Sequence, residues 1–351
     1  MALPRSLPMP RTPDAMEAPA LRWGILGTGW IAERFADALH RNTRQVVQAV
    51  GSRTLDSAQR FAAQAGAKTA YGSYVELVAD PAVDVVYVAT PHNYHFPHAR
   101  LALEAGKHSL VEKPLGLNAA ECAALAELAQ RQRVFCMEAL WTLFLPKYDV
   151  IRQLLADGAL GEVHTVIADM GEHFEPGHRI LRPDLAGGPL LDLGTYPVSF
   201  ATWVLGRPES VLALGSPAPT GVNGQTAAIL RTASGQVASL LTTLFDNTPT
   251  TAVVAGSEAT LAVDGPFYHP GRFTLKGLHA DELVYEEARV AHEALYFEAV
   301  EVARQIAAGA TESALRTMAE SVVTMSVMDE IRRQVGIVFA EEEDPARLGG
   351  G

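Results

Sequence analysis

The chain has 351 residues, 48% hydrophobic and 19% charged, with a net charge of −12. That length suggests two domains with ample core. The acidic balance and the lack of a long basic run argue against nucleic acid or an anionic membrane surface as partners. No apolar stretch is long enough to span a bilayer. Cys122 and Cys136 fit no metal spacing and are too few for a disulfide framework, so a reducing cytoplasm is the expected location.

Residues 1–20, "MALPRSLPMPRTPDAMEAPA", are proline-rich and lack the apolar core of a signal peptide. They are expected to form a disordered leader, with Met16 as an alternative start. Residues 341–351 are expected to be a solvated tail.

From residue 21 to residue 142 strands and helices alternate. "RWGILGTG" reads as strand then turn, "AERFADALHRN" as helix and "QVVQAVGSR" as strand. "LDSAQRFAAQAG" is helical, and a short strand and a short helix follow. "VDVVYVAT" is a continuous apolar run, as a strand buried on both faces requires. "PHARLALEAG", "HSLVEK", "NAAECAALAELAQRQ" and "VFCMEAL" continue as helix, strand, helix and strand. Such alternation predicts an α/β doubly wound parallel sheet of the Rossmann type.

Residues 143–340 read differently. "YDVIRQLLADGAL" and "GPLLDLGTYPVSFATWVLG" have helical periodicity, with Pro189 suited to a first turn. Short strands separated by Gly, Asn and Ser turns run from "GEVHTVIADM" to "RFTLKG". Two long helical segments within 292–335 close the chain and are able to pack on either domain. The second domain is therefore expected to be α+β, with a large, mainly antiparallel open sheet.

The turn after the first strand is "GILGTGWIA", or Gly27-x-Gly29-x-x-Ala32. In that position Gly27 allows a tight turn, Gly29 lets backbone approach a pyrophosphate, and the helix N-terminus attracts the anion. Thr28, Trp30 and Ile31 share the loop. The second strand ends in Ser52-Arg53. A site for NAD usually carries Asp or Glu there, whereas a hydroxyl and a guanidinium suit a ribose phosphate. The expected cofactor is NADP, with NAD possible.

Lys113 ends the strand "HSLVEK", and Pro114 restricts its backbone. Strand C-termini of an open parallel sheet face the ligand crevice. Side-chain alternation turns Lys113 toward it and Glu112 toward the packing side. In "GGPLLDLGTYP", Asp192 and Tyr196 stand four residues apart, hence on one face of a continuous helix. From residues alone, this pair reads equally as a helix-stabilising Asp with a core Tyr or as a functional pair. "PHNYHFPH" holds His92, His95 and His98, but no carboxylate or cysteine completes a set, and no metal is expected.

Together these segments resemble the Gfo/Idh/MocA oxidoreductases. The resemblance rests on "ALEAGKHSLVEKPLGLNAAE" with its Glu-Lys-Pro, the glycine loop, "DVVYVATPHNYH" and "AGGPLLDLGTYPVS". "EALW" and "DEIRRQVGIVF" look most like the branch of dimeric dihydrodiol dehydrogenases and NADP-dependent D-xylose dehydrogenases. The resemblance implies a cis Lys113–Pro114 bond and a place for Lys113 beside the nicotinamide. It implies that Thr90, Pro91, His92, His95 and Glu112 line the cofactor site. It also implies that Trp141 walls the substrate, with Phe174, Arg179 and Arg182 as rim candidates. Where the branch continues Trp-Thr-Arg-Phe, this chain has "WTLF", with Leu143 in place of the arginine.

By the same resemblance Lys113, Tyr196 and Asp192 are the catalytic residues, and the substrate is a sugar, a cyclic polyol or a trans-dihydrodiol. Hydride leaves a carbinol carbon only as the attached O–H loses its proton, so a base is needed. A free phenol, with pKa about 10, needs a neighbouring cation to serve near neutrality. Tyr196 is assigned as acid/base and Lys113 as its electrostatic partner, the reverse assignment staying open because such a pair titrates as a unit. Asp192 orients one of them or a substrate hydroxyl. A homodimer or higher homo-oligomer is implied. The rival activities are an aldose–aldose oxidoreductase, a glycosidase with retained NAD, and a non-enzymatic NADP sensor.

Overall fold

The computed structural model describes residues 4–278, 282–343 and 347–348. Its first strands are the apolar runs expected from the sequence. They are β1 (Arg22–Leu26), β2 (Val46–Gly51), β3 (Thr69–Tyr71), β4 (Val85–Val88), β5 (His108–Glu112) and β6 (Cys136–Ala139). All pair parallel, in the order β3-β2-β1-β4-β5-β6. The helices between them are α1 (Trp30–Asn42), α2 (Leu55–Gln64), α3 (Tyr74–Ala79), α4 (His95–Glu104) and α5 (Ala119–Gln132). Every residue of β4 and β6 is buried, as strands covered on both faces must be.

Polar side chains cap three of these helices, α2, α3 and α5. Thr54, Ser73 and Asn118 accept from the backbone N–H groups of Ser57, Glu76 and Glu121. Asp56 lies inside the first turn of α2, where its charge suits the helix dipole, and pairs with Arg60.

The chain divides into two compact units, and the first is not contiguous. Residues 13–144 are joined by 291–322 and by the described residues beyond 345. The returning segment includes α9 (Tyr296–Ala307), which is numbered after the elements of the second unit. It is tied to the parallel sheet through β6. Cys136 N–H donates to the Thr311 carbonyl at 3.0 Å. Glu138 lies buried at the centre of this join. Its Oε2 accepts from Arg316 Nε at 3.0 Å, Arg316 NH2 at 2.6 Å and Ser321 Oγ at 2.8 Å. Its Oε1 accepts from Leu115 N–H at 3.1 Å.

The second unit takes residues up to Thr12, then 145–290 and the described chain from 323 to 343. After α6 (Pro146–Ala156) come β7 (Val163–Gly171), α7 (Pro189–Asp192) and α8 (Thr195–Leu205). The strands that follow are β8 (Ser210–Pro217), β9 (Asn223–Arg231), β10 (Val237–Thr243), β11 (Ala252–Gly256), β12 (Ala259–Val263), β13 (Arg272–Gly277) and β14 (Glu282–Glu286). They form one sheet, ordered β14-β13-β12-β11-β7-β10-β9-β8. Only the β7–β10 pair is parallel. The expected α/β plus α+β architecture is the observed one. The edge strand β14, "ELVYE", escaped the sequence pattern because it is short and half charged. One face of the sheet carries Leu261, Val263, Phe273 and Leu275 into the core. The other face leaves Ile167, Leu212, Leu214 and Ile229 exposed.

A single helix was expected over residues 188–205, but two are seen. The turn Leu193–Gly194 breaks it, with both N–H groups folding back onto the Pro189 carbonyl at 2.7 and 2.8 Å. Gly194 favours a break, and Pro197 has no N–H with which to bond the Leu193 carbonyl. The last long helix, α10 (Met318–Val335), carries the division between the two units.

Within the expected leader, residues 1–20, several described residues make specific contacts. In the second unit Arg11 pairs with Asp149 at 2.9 Å, and Gln153 donates to the Met9 carbonyl at 2.9 Å. In the first unit Asp14 caps the turn Ala15–Glu17, and Ala18 packs fully buried against Val300 and Ala303. Small apolar side chains and specific ion pairs supply what low overall hydrophobicity seemed to lack. The expected solvated tail lies partly outside the described residues, which omit 344–346 and 349–351. Within it Arg347 pairs with Glu121 and donates to the Asn93 carbonyl at 2.9 Å. Among the described residues no helix is long and apolar enough to cross a membrane.

Removing one partner of a buried ion pair strands the other charge. Arg316→Met is therefore expected to lower stability by about 3–5 kcal/mol. The double variant Arg316→Met/Glu138→Leu should recover part of that loss. Urea denaturation of both proteins measures it, and a double variant as unstable as the single one would contradict this account.

Candidate active site

One group of candidate residues lies along the C-terminal edge of the parallel sheet. Gly27 adopts φ +103°, and a Cβ there would stand 2.6 Å from the Ala89 carbonyl oxygen. Only glycine fits. Its N–H donates to the Gly51 carbonyl at 3.1 Å, which draws the loop against the end of β2. Gly29 caps α1, and a Cβ built on it meets nothing within 4 Å. An open backbone cradle at a helix N-terminus suits a pyrophosphate. Thr28 and Ile31 are half-buried beside it, and Trp30 is 54% exposed. At the end of β2, Ser52 is buried while Arg53 is exposed.

Lys113 follows β5 and is half-buried, and the Lys113–Pro114 bond is cis. Its surroundings are held from several directions. Glu112 accepts from the Lys113 N–H at 3.1 Å and is bonded by the Tyr87 hydroxyl, so its carboxylate is a buried brace. His95 places Nδ1 2.6 Å from the Pro114 carbonyl and Nε2 2.7 Å from the Thr90 carbonyl. Both oxygens only accept, so the ring satisfies both when each nitrogen carries a proton. It thereby links the Lys113 loop to the end of β4.

Thr90 Oγ1 also meets His98 Nδ1 at 3.0 Å. Burial, aided by His95, pushes the His98 pKa down to about 4. His92 is buried next to His95, and Pro91 opens the short turn that carries both. Among the described residues no three His, Cys, Asp or Glu side chains gather to hold a metal. Glu298, on α9, is fully buried. Desolvation, then Glu112, pushes its pKa well above the usual carboxyl range.

In the second unit, α7 and α8 carry the other candidates. Asp192 is buried at the end of α7, with Arg179 NH2 2.8 Å from its carboxylate. Tyr196 lies in the first turn of α8, its ring stacked on Tyr268 at 4.3 Å. The Leu193–Gly194 break means that no continuous helix sets the spacing of Asp192 and Tyr196. Phe174 stacks on His178 at 4.5 Å. Arg182 turns away from this group and pairs with Asp184 instead.

The sequence singles out Lys113, His95, Asp192, Arg179 and Tyr196 as candidates. It does not single out Tyr87, Tyr268, His292, Glu298 or Arg316. These belong to different elements and carry no local motif. The one usable signal was an acid inside an apolar helix, Glu298 in "YFEAV".

A glycine cradle at the start of the first helix and a lysine at a strand end of the same parallel sheet suit a dinucleotide-binding domain. Comparisons agree. The model for the oxidoreductase family with an NAD-binding Rossmann fold matches residues 21–140, and the GFO/IDH/MocA C-terminal domain matches 148–262. The chain is 36% identical over 332 residues to trans-1,2-dihydrobenzene-1,2-diol dehydrogenase of Danio rerio, covering 92% of this chain and 99% of that protein. It is 35% identical to D-xylose 1-dehydrogenase (NADP(+)) of Hypocrea jecorina, covering 92% and 93%. Among solved structures, a 3-ketoreductase from Actinomadura kijaniata in complex with NADP and TDP-benzene superposes with TM-score 0.80 at 27% identity, covering 90% and 98%. The chain belongs to the Gfo/Idh/MocA oxidoreductase family, and its first unit is the nicotinamide-dinucleotide-binding domain.

Proposed function

We propose that the protein is an NADP-dependent dehydrogenase acting on a hydroxyl of a sugar, a cyclic polyol or a trans-dihydrodiol. The observation that carries this is the retention of Lys113, Asp192 and Tyr196 together with the glycine cradle. Near-full-length similarity to a dihydrodiol dehydrogenase and a D-xylose dehydrogenase supports it. A protein that only sensed the dinucleotide would need no base. An aldose–aldose oxidoreductase or a glycosidase with retained NAD would show cofactor carried through purification.

The bound nicotinamide ring supplies the hydride acceptor. This chain's own part is to handle the proton and hold the substrate. Tyr196 Oη takes the hydroxyl proton as the C–H bond breaks. The Lys113 ammonium stabilises the phenolate and polarises the substrate oxygen. Asp192, paired with Arg179, orients a second hydroxyl. Ser52 and Arg53 bind the ribose phosphate of NADP. Trp141 walls the substrate, and Phe174 lies at its rim. The protein is proposed to work in the cytoplasm, where Cys122 and Cys136, both buried, stay reduced.

Tyr196→Phe and Lys113→Met are each expected to lower kcat/KM at least about 10²-fold, with dinucleotide binding retained. A double variant no worse than the single ones would mark a unit. Assays of NADP reduction with pentoses, hexoses, inositols and trans-dihydrodiols test this, and full activity in either single variant would refute that residue's role. Arg53→Asp should weaken NADP binding about tenfold or more and leave NAD binding close to unchanged. Equal effects on both dinucleotides would argue against a 2′-phosphate contact.

Chain association is proposed through the open face of the eight-stranded sheet. Leu212 and Ile229 stand opposite each other there, and Leu214 is 74% exposed. Contiguous exposed apolar side chains of this kind mark interfaces. Leu214→Asp is expected to convert a dimer to a monomer in sedimentation velocity. An unchanged sedimentation coefficient would place the interface elsewhere.

A further inference from the structure

One residue in the dinucleotide-binding unit stands out because it arrives from far along the chain. His292 lies on the 3-10 turn Ala291–Leu295, which belongs to the first unit. Its imidazole packs edge-on against Trp30, with centroids 4.7 Å apart at 77°. It stacks on Trp141 at 5.4 Å and 23°. Trp30 is the first residue of α1, directly after the glycine cradle. Trp141 follows β6, the last strand in the order β3-β2-β1-β4-β5-β6, and Trp30 follows the loop after the interior strand β1. The imidazole therefore bridges the C-terminal edge along which a dinucleotide must lie.

The turn is fixed to the domain. Glu293 accepts from Arg41 at 3.2 Å, and Ala294 and Leu295 are buried. Arg34 sits 5.6 Å from the Trp30 ring centre. The charged groups acting on His292 are Arg34 from α1 and Lys113 from the end of β5. With burial as the first cause, they depress its pKa to about 4. Arg34, Lys113 and the positive end of α1 are like-signed, and an anion set among them relieves their repulsion. An anionic bridge between two nucleotides is such a group, and an imidazole keeps an N–H donor in either protonation state.

We propose that His292 is a cofactor-binding residue, whose imidazole, set between Trp30 and Trp141, donates to the pyrophosphate–nicotinamide half of the bound dinucleotide. This rests on the dinucleotide-binding assignment of the unit. It adds a contact that no glycine motif encodes, since His292 comes from beyond the second unit's sheet.

Isothermal titration of the full chain tests it. NADP+ is compared with its adenine half, adenosine 2′,5′-bisphosphate, and NAD+ with AMP. His292→Ala should weaken the dinucleotide about tenfold and leave the adenine half within about twofold. His292→Gln, which keeps an N–H donor, should recover part of the loss. A dinucleotide affinity unchanged in His292→Ala overturns the inference alone. Equal weakening of dinucleotide and adenine half also overturns it, because that marks a disturbed domain. Failure of the wild-type protein to bind either dinucleotide would overturn the domain assignment and the inference with it.

Discussion

The buried Glu138 carboxylate is the constraint on which the first unit depends. A lone charge inside a protein is costly, and this one is offset by Arg316, Ser321 and the Leu115 N–H. Those three partners come from two places. Leu115 lies just past the Lys113–Pro114 bond, and Arg316 and Ser321 lie on the segment that returns after the second sheet. One side chain thus joins the last parallel strand, the lysine loop and the returning chain. The loop is held from its other side by His95, which spans the Thr90 and Pro114 carbonyls. Lys113 consequently stands on a short stretch of backbone bonded at several points, the kind of support a polarising ammonium needs.

The same economy explains how the returning chain contributes chemistry. Glu298 brings a buried carboxyl whose pKa burial and Glu112 both raise, and His292 brings an imidazole between two indoles. Neither contact exists until α9 and the turn before it dock. The dinucleotide domain is therefore not a self-sufficient N-terminal module. Its ligand-facing edge is completed by residues some 150 positions beyond β6.

The second unit solves a different problem. Its sheet buries one face beneath helices and leaves the other open, with leucines and isoleucines along β7, β8 and β9. The helix break at Leu193–Gly194 separates Asp192 and Tyr196 into two short elements. Each is then held by its own partner, Arg179 for the acid and Tyr268 for the phenol.

Local patterns determined the order and type of most elements, the edge strand β14 and the break between α7 and α8 excepted. Short apolar runs bounded by turn residues read as buried strands, the glycine loop as a tight strand-to-helix turn, and capping residues mark where helices start. They also gave, by resemblance, the cis bond and the candidates Lys113, Asp192 and Tyr196, because each sits in a short local motif. Tertiary structure alone decided the rest. It set contacts of the proline-rich leader with residues distant in sequence, paired Arg182 with Asp184 rather than Asp192, and gathered His292, Glu298 and Arg316 onto the first domain. Pairings across more than a hundred residues leave no periodicity behind, since the spacing of a sequence records only neighbours along the chain.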